Sequence, residues 1–316
     1  MNNVIDTIVI AGPTATGKTR LSLHTAAFLK KEHGLDAEII NADSIQLYKD
    51  LKILTAHPSF SEMEGIVHHL FGILDPNDSS DVAFWEHSAK SIIKNLRTQH
   101  KIAIICGGTG FYIRTITDGI APIPEIPQNV RRKIREEFSR LDRDKFLEKL
   151  AELDPYMAQR LHKNDTQRIL RAYEVVFLTG KSLSEWWRMK REESQHNIMT
   201  FFLSPDRGQL RELCHLRAQK MLNSGARDEL MDFMARYPDY RGPLSKAIGY
   251  TELILFIAGK ITETECIDAI TTKTRQYAKR QYTWCRHQLS NAQVIKGTGY
   301  DESITYSLHE AIFLSV

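Results

Sequence analysis

"IVIAGPTATGKTR", residues 8–20, is the stretch on which the fold turns. An apolar run, Ile8 to Ala11, meets Gly12. Gly17, Lys18 and Thr19 follow, and apolar residues then recur at helical spacing. Gly12-Pro13-Thr14-Ala15-Thr16-Gly17-Lys18-Thr19 fits GxxxxGK[ST] in full, the P-loop pattern of nucleotide-binding and ATP-binding proteins. Gly12 and Gly17 let backbone N–H groups curl around phosphate oxygens, and the helix N-terminus adds its positive dipole end. Lys18 reaches terminal oxygens, and the Thr19 hydroxyl can face Mg²⁺.

Outward from this loop, strand and helix patterns alternate. Val4–Ala11 reads as a strand buried on both faces, and Thr19 to Lys31 as a helix with Gly34 as its C-cap. Ala37–Asn41 is a second strand, running into Ala42-Asp43-Ser44. Val82–His100 is a helix with Asp81 at its start. "KIAIIC", Lys101–Cys106, is a third strand, running into Gly107-Gly108-Thr109. This alternation predicts an α/β fold: a parallel P-loop sheet with helices on both faces. Ligands of such sheets bind at the carboxyl ends of strands, so the loops Gly12–Thr19, Asp43–Gln46 and Gly107–Thr109 should converge on one crevice.

"APIPEIP", Ala121–Pro127, breaks the pattern. Helical, charge-dense sequence follows, and the strand-like "IMTFFLSP", Ile198–Pro205, then resumes the sheet. The expected organisation is a catalytic core over 1–124 and 197–316, interrupted by a helical insertion over 125–196. Helices are expected near 207–223, 225–236, 244–257 and 263–289.

The chain has 316 residues, 42% hydrophobic and 26% charged, with a net charge of +3. It can bury a sizeable core, and it is mildly basic, which permits a nucleic-acid partner without requiring one. The apolar run near the start is too short for a membrane span and lacks a basic flank, so a cytoplasmic location is expected. Four scattered cysteines without a CxxC pair disfavour a zinc ribbon or a disulfide framework.

A nucleotide hydrolase usually carries a second apolar strand ending in a Mg²⁺-holding aspartate. "KIAIIC" ends in glycines and a threonine instead, and the strand-ending aspartate of the core is Asp43. If Asp43 is a base acting on an acceptor, the loop can hold a diphosphate leaving group. Asp43 as a helix cap is the structural alternative.

Six ordered blocks carry a resemblance: "GPTATGKT", "NADSIQLYKDL", "HHLFGILDP", "CGGTGFYI", "NDTQRILRAYEV", and "AIGYTEL" followed by "TRQYAKRQYTWCR". Their combination resembles the tRNA dimethylallyltransferases, also called tRNA isopentenyltransferases, from about residue 5 to 290. The resemblance implies a P-loop core with an inserted tRNA-gripping helical domain. It implies transfer of a dimethylallyl group from dimethylallyl diphosphate to N6 of the adenosine beside the anticodon, with pyrophosphate leaving and Mg²⁺ assisting through Thr19. Thr14 to Thr19 would cradle the diphosphate together with Gly12 and the distal Arg217. Asp43 would be the general base and Thr109 an active-site threonine contacting tRNA. Contacts with the anticodon stem-loop would come from Asp43-Ser44-Ile45-Gln46, Arg131, Gln167-Arg168-Ile169-Leu170-Arg171, Lys246, Lys279, Arg280 and Arg286. A monomer with no membrane partner is expected.

The C-terminal part supports RNA binding independently. Between Asp268 and Asp301 there is no acidic residue, while Lys273, Arg275, Lys279, Arg280 and Arg286 interleave with Tyr277, Tyr282 and Trp284. Basic side chains bind phosphates and aromatic faces stack on bases. Tyr277, Arg280 and Trp284 also share helical spacing, so part of this face, Trp284 above all, suits core packing. His68-His69 and Trp186-Trp187 are read as structural. One block departs from the family pattern: Leu54 and His57 stand where a glycine and a lysine are usual. Three alternatives stay open here: a small-molecule P-loop kinase, an adenylate isopentenyltransferase and a non-enzymatic RNA-binding protein.

Overall fold

The computed structural model describes residues 5–119, 121–189 and 197–313. Two compact units divide the chain: Met1–Thr117 with Ser194–Val316, and Asp118–Glu193. The strands of the first unit are β1 (Thr7–Ala11), β2 (Ala37–Asn41), β3 (His68–His69), β4 (Ile102–Gly107), β5 (Ile198–Leu203) and β6 (Gln293–Ile295). They form one sheet in the order β3-β2-β4-β1-β5-β6, every pair parallel. β1 and β4 are buried along their whole length, which is why both read as unbroken apolar runs.

Alternation along β1 feeds two cores. Ile8 and Ile10 pack with the helices α1 (Lys18–His33) and, near the C-terminus, α14 (Glu302–Phe313). Val9 and Ala11 face the opposite layer. That layer is built from α2 (Lys52–Thr55), α3 (Val82–Thr98), α4 (Gly110–Thr117), α10 (Arg207–Asn223), α11 (Ala226–Arg236), α12 (Tyr250–Ile257) and α13 (Glu263–Gln288). Helix ends follow the expected chemistry. Gly34 caps α1 in the left-handed region at φ 69°, and the Asp81 carboxylate accepts the Phe84 N–H at 2.9 Å at the start of α3.

β1 lies between β4 and β5, so the chain leaves it in one direction to build β2–β4 and returns on the other side with β5 and β6. This is a topological switch point, and the crevice opens at the carboxyl ends of the strands beside it.

Several local expectations need correction. β1 begins at Thr7, and Val4, the expected start, lies outside the described residues. The edge strands β3 and β6 and the helix α14 have no counterpart in the sequence reading; strands of two and three residues carry too little periodicity to show. The expected helix 244–257 is two pieces, a 3-10 turn at Pro243–Lys246 and α12, because Gly249 adopts φ 101° between them.

The second unit contains α5 (Gln128–Arg140), α6 (Arg143–Leu153), α7 (Pro155–Arg160), α8 (Thr166–Thr179) and α9 (Leu183–Arg188). They enclose a core of Ile134, Phe146, Leu150, Ile169 and Val175. Buried Asp154 caps α7 at the Met157 N–H and also accepts the Leu183 N–H at 3.0 Å. Trp186 packs on this core as expected, but Trp187 is 46% exposed. The expected end of the insertion near residue 196 lies outside the described residues.

Candidate active site

The three strand-end loops meet. In the phosphate loop, Ala15 and Gly17 take left-handed φ values of 67° and 76°, separated by Thr16. Left-handed residues at alternate positions curl successive N–H groups into an anion-binding nest. Gly17 is the N-cap of α1, so the nest lies on the positive end of that helix. Lys18 folds back over it, donating to the Pro13 carbonyl at 2.7 Å, and Thr16 Oγ1 donates to the same carbonyl at 2.8 Å. Desolvation pulls the Lys18 pKa below its ordinary value, with neighbouring Asp43 acting the other way. Arg217, on α10, is likewise lowered by desolvation and lies within the field of Asp43. The site therefore gathers two partly desolvated cations and one carboxylate, a suitable setting for a polyanion.

Asp43 is held by its neighbours. The Asn41 side chain accepts the Asp43 N–H at 2.8 Å and donates to the Asp43 carbonyl at 2.9 Å. Trp85 Nε1 donates to the Asn41 carbonyl at 2.7 Å. Asp43 Oδ1 accepts the Ile45 N–H at 3.0 Å in an Asx turn, so no helix begins at Ser44 and the capping alternative falls. Thr109 joins the second and third loops: its N–H donates to the Ala42 carbonyl at 3.0 Å, and its hydroxyl oxygen accepts the Ser44 N–H at 3.1 Å. Gly107 allows the approach, since a Cβ there would lie 2.2 Å from the Ala42 carbonyl oxygen.

Sequence reasoning missed Gln281. From α13, its buried amide accepts the Thr14 N–H at 2.8 Å and donates to the Gly108 carbonyl at 2.9 Å. It locks the phosphate loop to the Gly-Gly-Thr turn. The signal was present as a polar residue on an otherwise packed helix face, but a spacing argument reads that face as core. Tyr277 also differs from the core reading. Its phenol approaches Thr109 and Gln281 and feels Asp43, and burial holds its pKa above the ordinary value. Trp284 is half-buried, its ring over Gly110, where a Cβ would lie 2.1 Å from Cε3. The thiols nearest Lys18, Cys106 and Cys285, are both pushed up by burial, Cys285 to about 11, so neither is a reactive thiolate.

The expected tRNA contacts divide. Lys246, Lys279, Arg280 and Arg286 are exposed, and Arg280 lies over the Tyr277 ring at 5.7 Å. Lys273, counted in the acid-free window, is paired with Glu252 on α12. The Gln46 amide donates to the Thr55 and Ala56 carbonyls at 3.0 and 2.8 Å, so its NH₂ group caps α2 and is not free for RNA. In the helical unit Gln167 and Arg168 are exposed, Arg168 pairs with Asp165 at 3.3 Å, and Arg171 and Leu170 are half-buried. Ile169 is the correction there: its side chain is fully buried in that unit's core and is unavailable to RNA. Arg131 is half-buried, with its Nε enclosed and unbonded.

The segment that departs from the family pattern is ordered without strain at Leu54. Leu54 lies within α2, and Ile53 and Leu54 donate their N–H groups to the Glu229 carboxylate at 2.9–3.1 Å. The Leu54 side chain covers Gly249, where a Cβ would lie 2.7 Å from Cδ1. His57 Nε2 donates to the Gln46 carbonyl at 2.6 Å, and burial lowers its pKa. It acts as a neutral brace for this loop.

The family model described as IPP transferase matches residues 46–288 of the chain. The chain belongs to the IPP transferase family. This IPP transferase is 38% identical over 304 residues to a tRNA dimethylallyltransferase of Pelagibacter ubique, covering 95% of each chain. It is 38% identical over 306 residues to that of Rhodospirillum rubrum, covering 96% of this chain and 90% of the relative. Among solved structures it resembles a eukaryotic dimethylallyltransferase acting on tRNA, with a TM-score of 0.84, 27% identity, and coverage of 97% and 77%. It also resembles the full-length tRNA isopentenylpyrophosphate transferase of Bacillus halodurans, with a TM-score of 0.70, 28% identity, and coverage of 98% and 96%. No described helix of this IPP transferase is long and apolar enough to cross a membrane.

Proposed function

We propose that this IPP transferase moves the dimethylallyl group of dimethylallyl diphosphate onto N6 of the adenosine beside the anticodon of tRNA, releasing pyrophosphate. The observation that carries the reading is the joining of an anion nest to a single backbone-braced carboxylate through Thr109 and Gln281. A diphosphate held in the nest would bring its allylic C–O bond into the neighbourhood of Asp43, whose charge acts on Lys18 and Arg217. As that bond breaks, the electron pair stays on the diphosphate, where the nest N–H groups, Lys18 and Arg217 stabilise it. Such donors act chiefly in the transition state. The N6 lone pair forms the new C–N bond, and the Asp43 oxygen not used by Ile45 accepts the N6 proton.

Mg²⁺ fits the donor set. It takes oxygen ligands and is typically held by few protein groups plus substrate phosphates and water, and Thr19, directly after Lys18 in the first turn of α1, carries a hydroxyl. Bound there, it would add positive charge opposite the diphosphate. Four buried, free cysteines suit a cytoplasmic, reducing setting, and a monomer is sufficient for this chemistry.

The test is incubation with radiolabelled dimethylallyl diphosphate, Mg²⁺ and unmodified tRNA, with AMP and ATP in parallel. Label transferred to tRNA alone is expected. Label on AMP would replace this reading with a free-nucleotide acceptor, and ATP hydrolysis without transfer would replace it with a kinase-like one.

A further inference from the structure

One peptide of the phosphate loop is oriented from outside the loop. After β6, the turn Gly297–Tyr300 lies against it before α14 begins. The Gly299 N–H donates to the Thr16 carbonyl at 2.8 Å. In a trans peptide the carbonyl and the following N–H lie in one plane and point opposite ways. Holding the Thr16 carbonyl towards Gly299 therefore turns the Gly17 N–H to the other side, into the nest. Gly17 lacks a Cβ and sits at φ 76°, so by itself it leaves that peptide free to turn over.

The turn is closely fitted. A Cβ on Gly299 would lie 2.3 Å from the Gly17 carbonyl oxygen. A Cβ on Gly17 would meet the Tyr300 ring at 3.1 Å, so ring and loop are in contact. Tyr300 is 48% exposed and lies within the field of Arg217, on the anion-binding side. Behind the turn, Ile304, Leu308 and Ile312 of α14 are buried in the same core as Leu21 and Leu29 of α1. The clip and the helix it braces thus share one anchor.

We propose that Gly299 and Tyr300 are positioning residues for the diphosphate: the clip fixes the Thr16–Gly17 peptide with its N–H facing the nest, and the Tyr300 ring holds the clip on Gly17. This rests on the loop being the diphosphate site. Neither residue touches the reacting atoms, so the signature is a selective loss of diphosphate binding.

The test is titration of the full-length chain with inorganic pyrophosphate and Mg²⁺, alongside tRNA binding and steady-state kinetics. Gly299→Ala should weaken pyrophosphate by about tenfold, the scale of one misdirected hydrogen-bond donor. Tyr300→Ala should weaken it in the same direction, and Tyr300→Phe should restore it. The KM for dimethylallyl diphosphate should rise while the KM for tRNA stays at the parental value. Should Gly299→Ala fail to fold, Tyr300→Ala, at an exposed position, decides alone. Lys18→Ala is the control. If it loses pyrophosphate while Gly299→Ala and Tyr300→Ala bind like the parent, the clip is overturned and the loop stands. If Lys18→Ala also binds like the parent, the diphosphate reading falls with it.

Discussion

Asp43 is positioned by short-range bonds that do not consume its function. Oδ1 is occupied by the Ile45 N–H, while Asn41 fixes the backbone on both sides of the residue. Asp43→Asn keeps the shape and the Asx turn but cannot take a proton. It should lower the single-turnover rate by ~10²–10⁴, the usual scale of general-base loss. Pyrophosphate affinity, measured by calorimetry, should stay within about twofold, since acceptor chemistry and diphosphate grip are separate tasks. Gln281 makes a different prediction. Gln281→Leu leaves the half-buried Thr14 N–H and the buried Gly108 carbonyl without their partner. Denaturant unfolding should show a loss of about 2–3 kcal/mol, the cost of two orphaned polar groups, together with weaker pyrophosphate binding. A change in stability alone would make Gln281 a mere staple.

At the scale of elements, α13 performs two tasks with two faces. Tyr277, Gln281 and Trp284, at i, i+4 and i+7, turn inward to the site and its supporting layer. Lys279, Arg280 and Arg286 stay exposed. Replacing these three by alanine should weaken tRNA binding and flatten its salt dependence by about 0.7 in the log–log slope per lost phosphate contact. The KM for dimethylallyl diphosphate should not move. Filter binding across a salt series checks the first outcome and steady-state kinetics the second. Helix α2 shows how an altered segment is retained. Leu54 fills the space over Gly249, and Glu229 caps the N-terminal N–H groups, so α2 is fixed by partners at least 175 residues away in sequence. A helix of four residues has no stability of its own, and tertiary capping supplies it.

For the whole molecule, acid should act through half-buried histidines. His309 stacks on Phe28 at 4.0 Å, its Nε2 is buried without a partner, and burial lowers its pKa from 6.5 to about 4. His57 and His68 are shifted the same way by desolvation. A folded-state pKa below the unfolded value means that the unfolded chain binds the proton first. The stability due to neutral His309 is therefore complete above pH 6.5 and is lost as pH falls towards about 4. His309→Phe should keep the stack and remove on the order of 2 kcal/mol of that pH-dependent loss. Melting curves at pH 7 and 4.5 check it: the gap between them should shrink in the variant.

Local and periodic features are legible in the linear order of residues. A buried strand meeting a GxxxxGK[ST] loop, the alternation of elements, the caps at Gly34 and Asp81, and the convergence of three loops at strand ends all follow from spacing and backbone chemistry. The blocks carrying the family resemblance are equally linear. Tertiary structure alone decided which distant groups complete the site. Thr14 meets Gln281 across 267 positions, Thr16 meets Gly299, and Ile53 meets Glu229. It also turned Ile169 into core and tied the Gln46 amide to α2. The reason is physical: a side chain's partners depend on where packed helices bring it, and a single residue's type and spacing do not encode that placement.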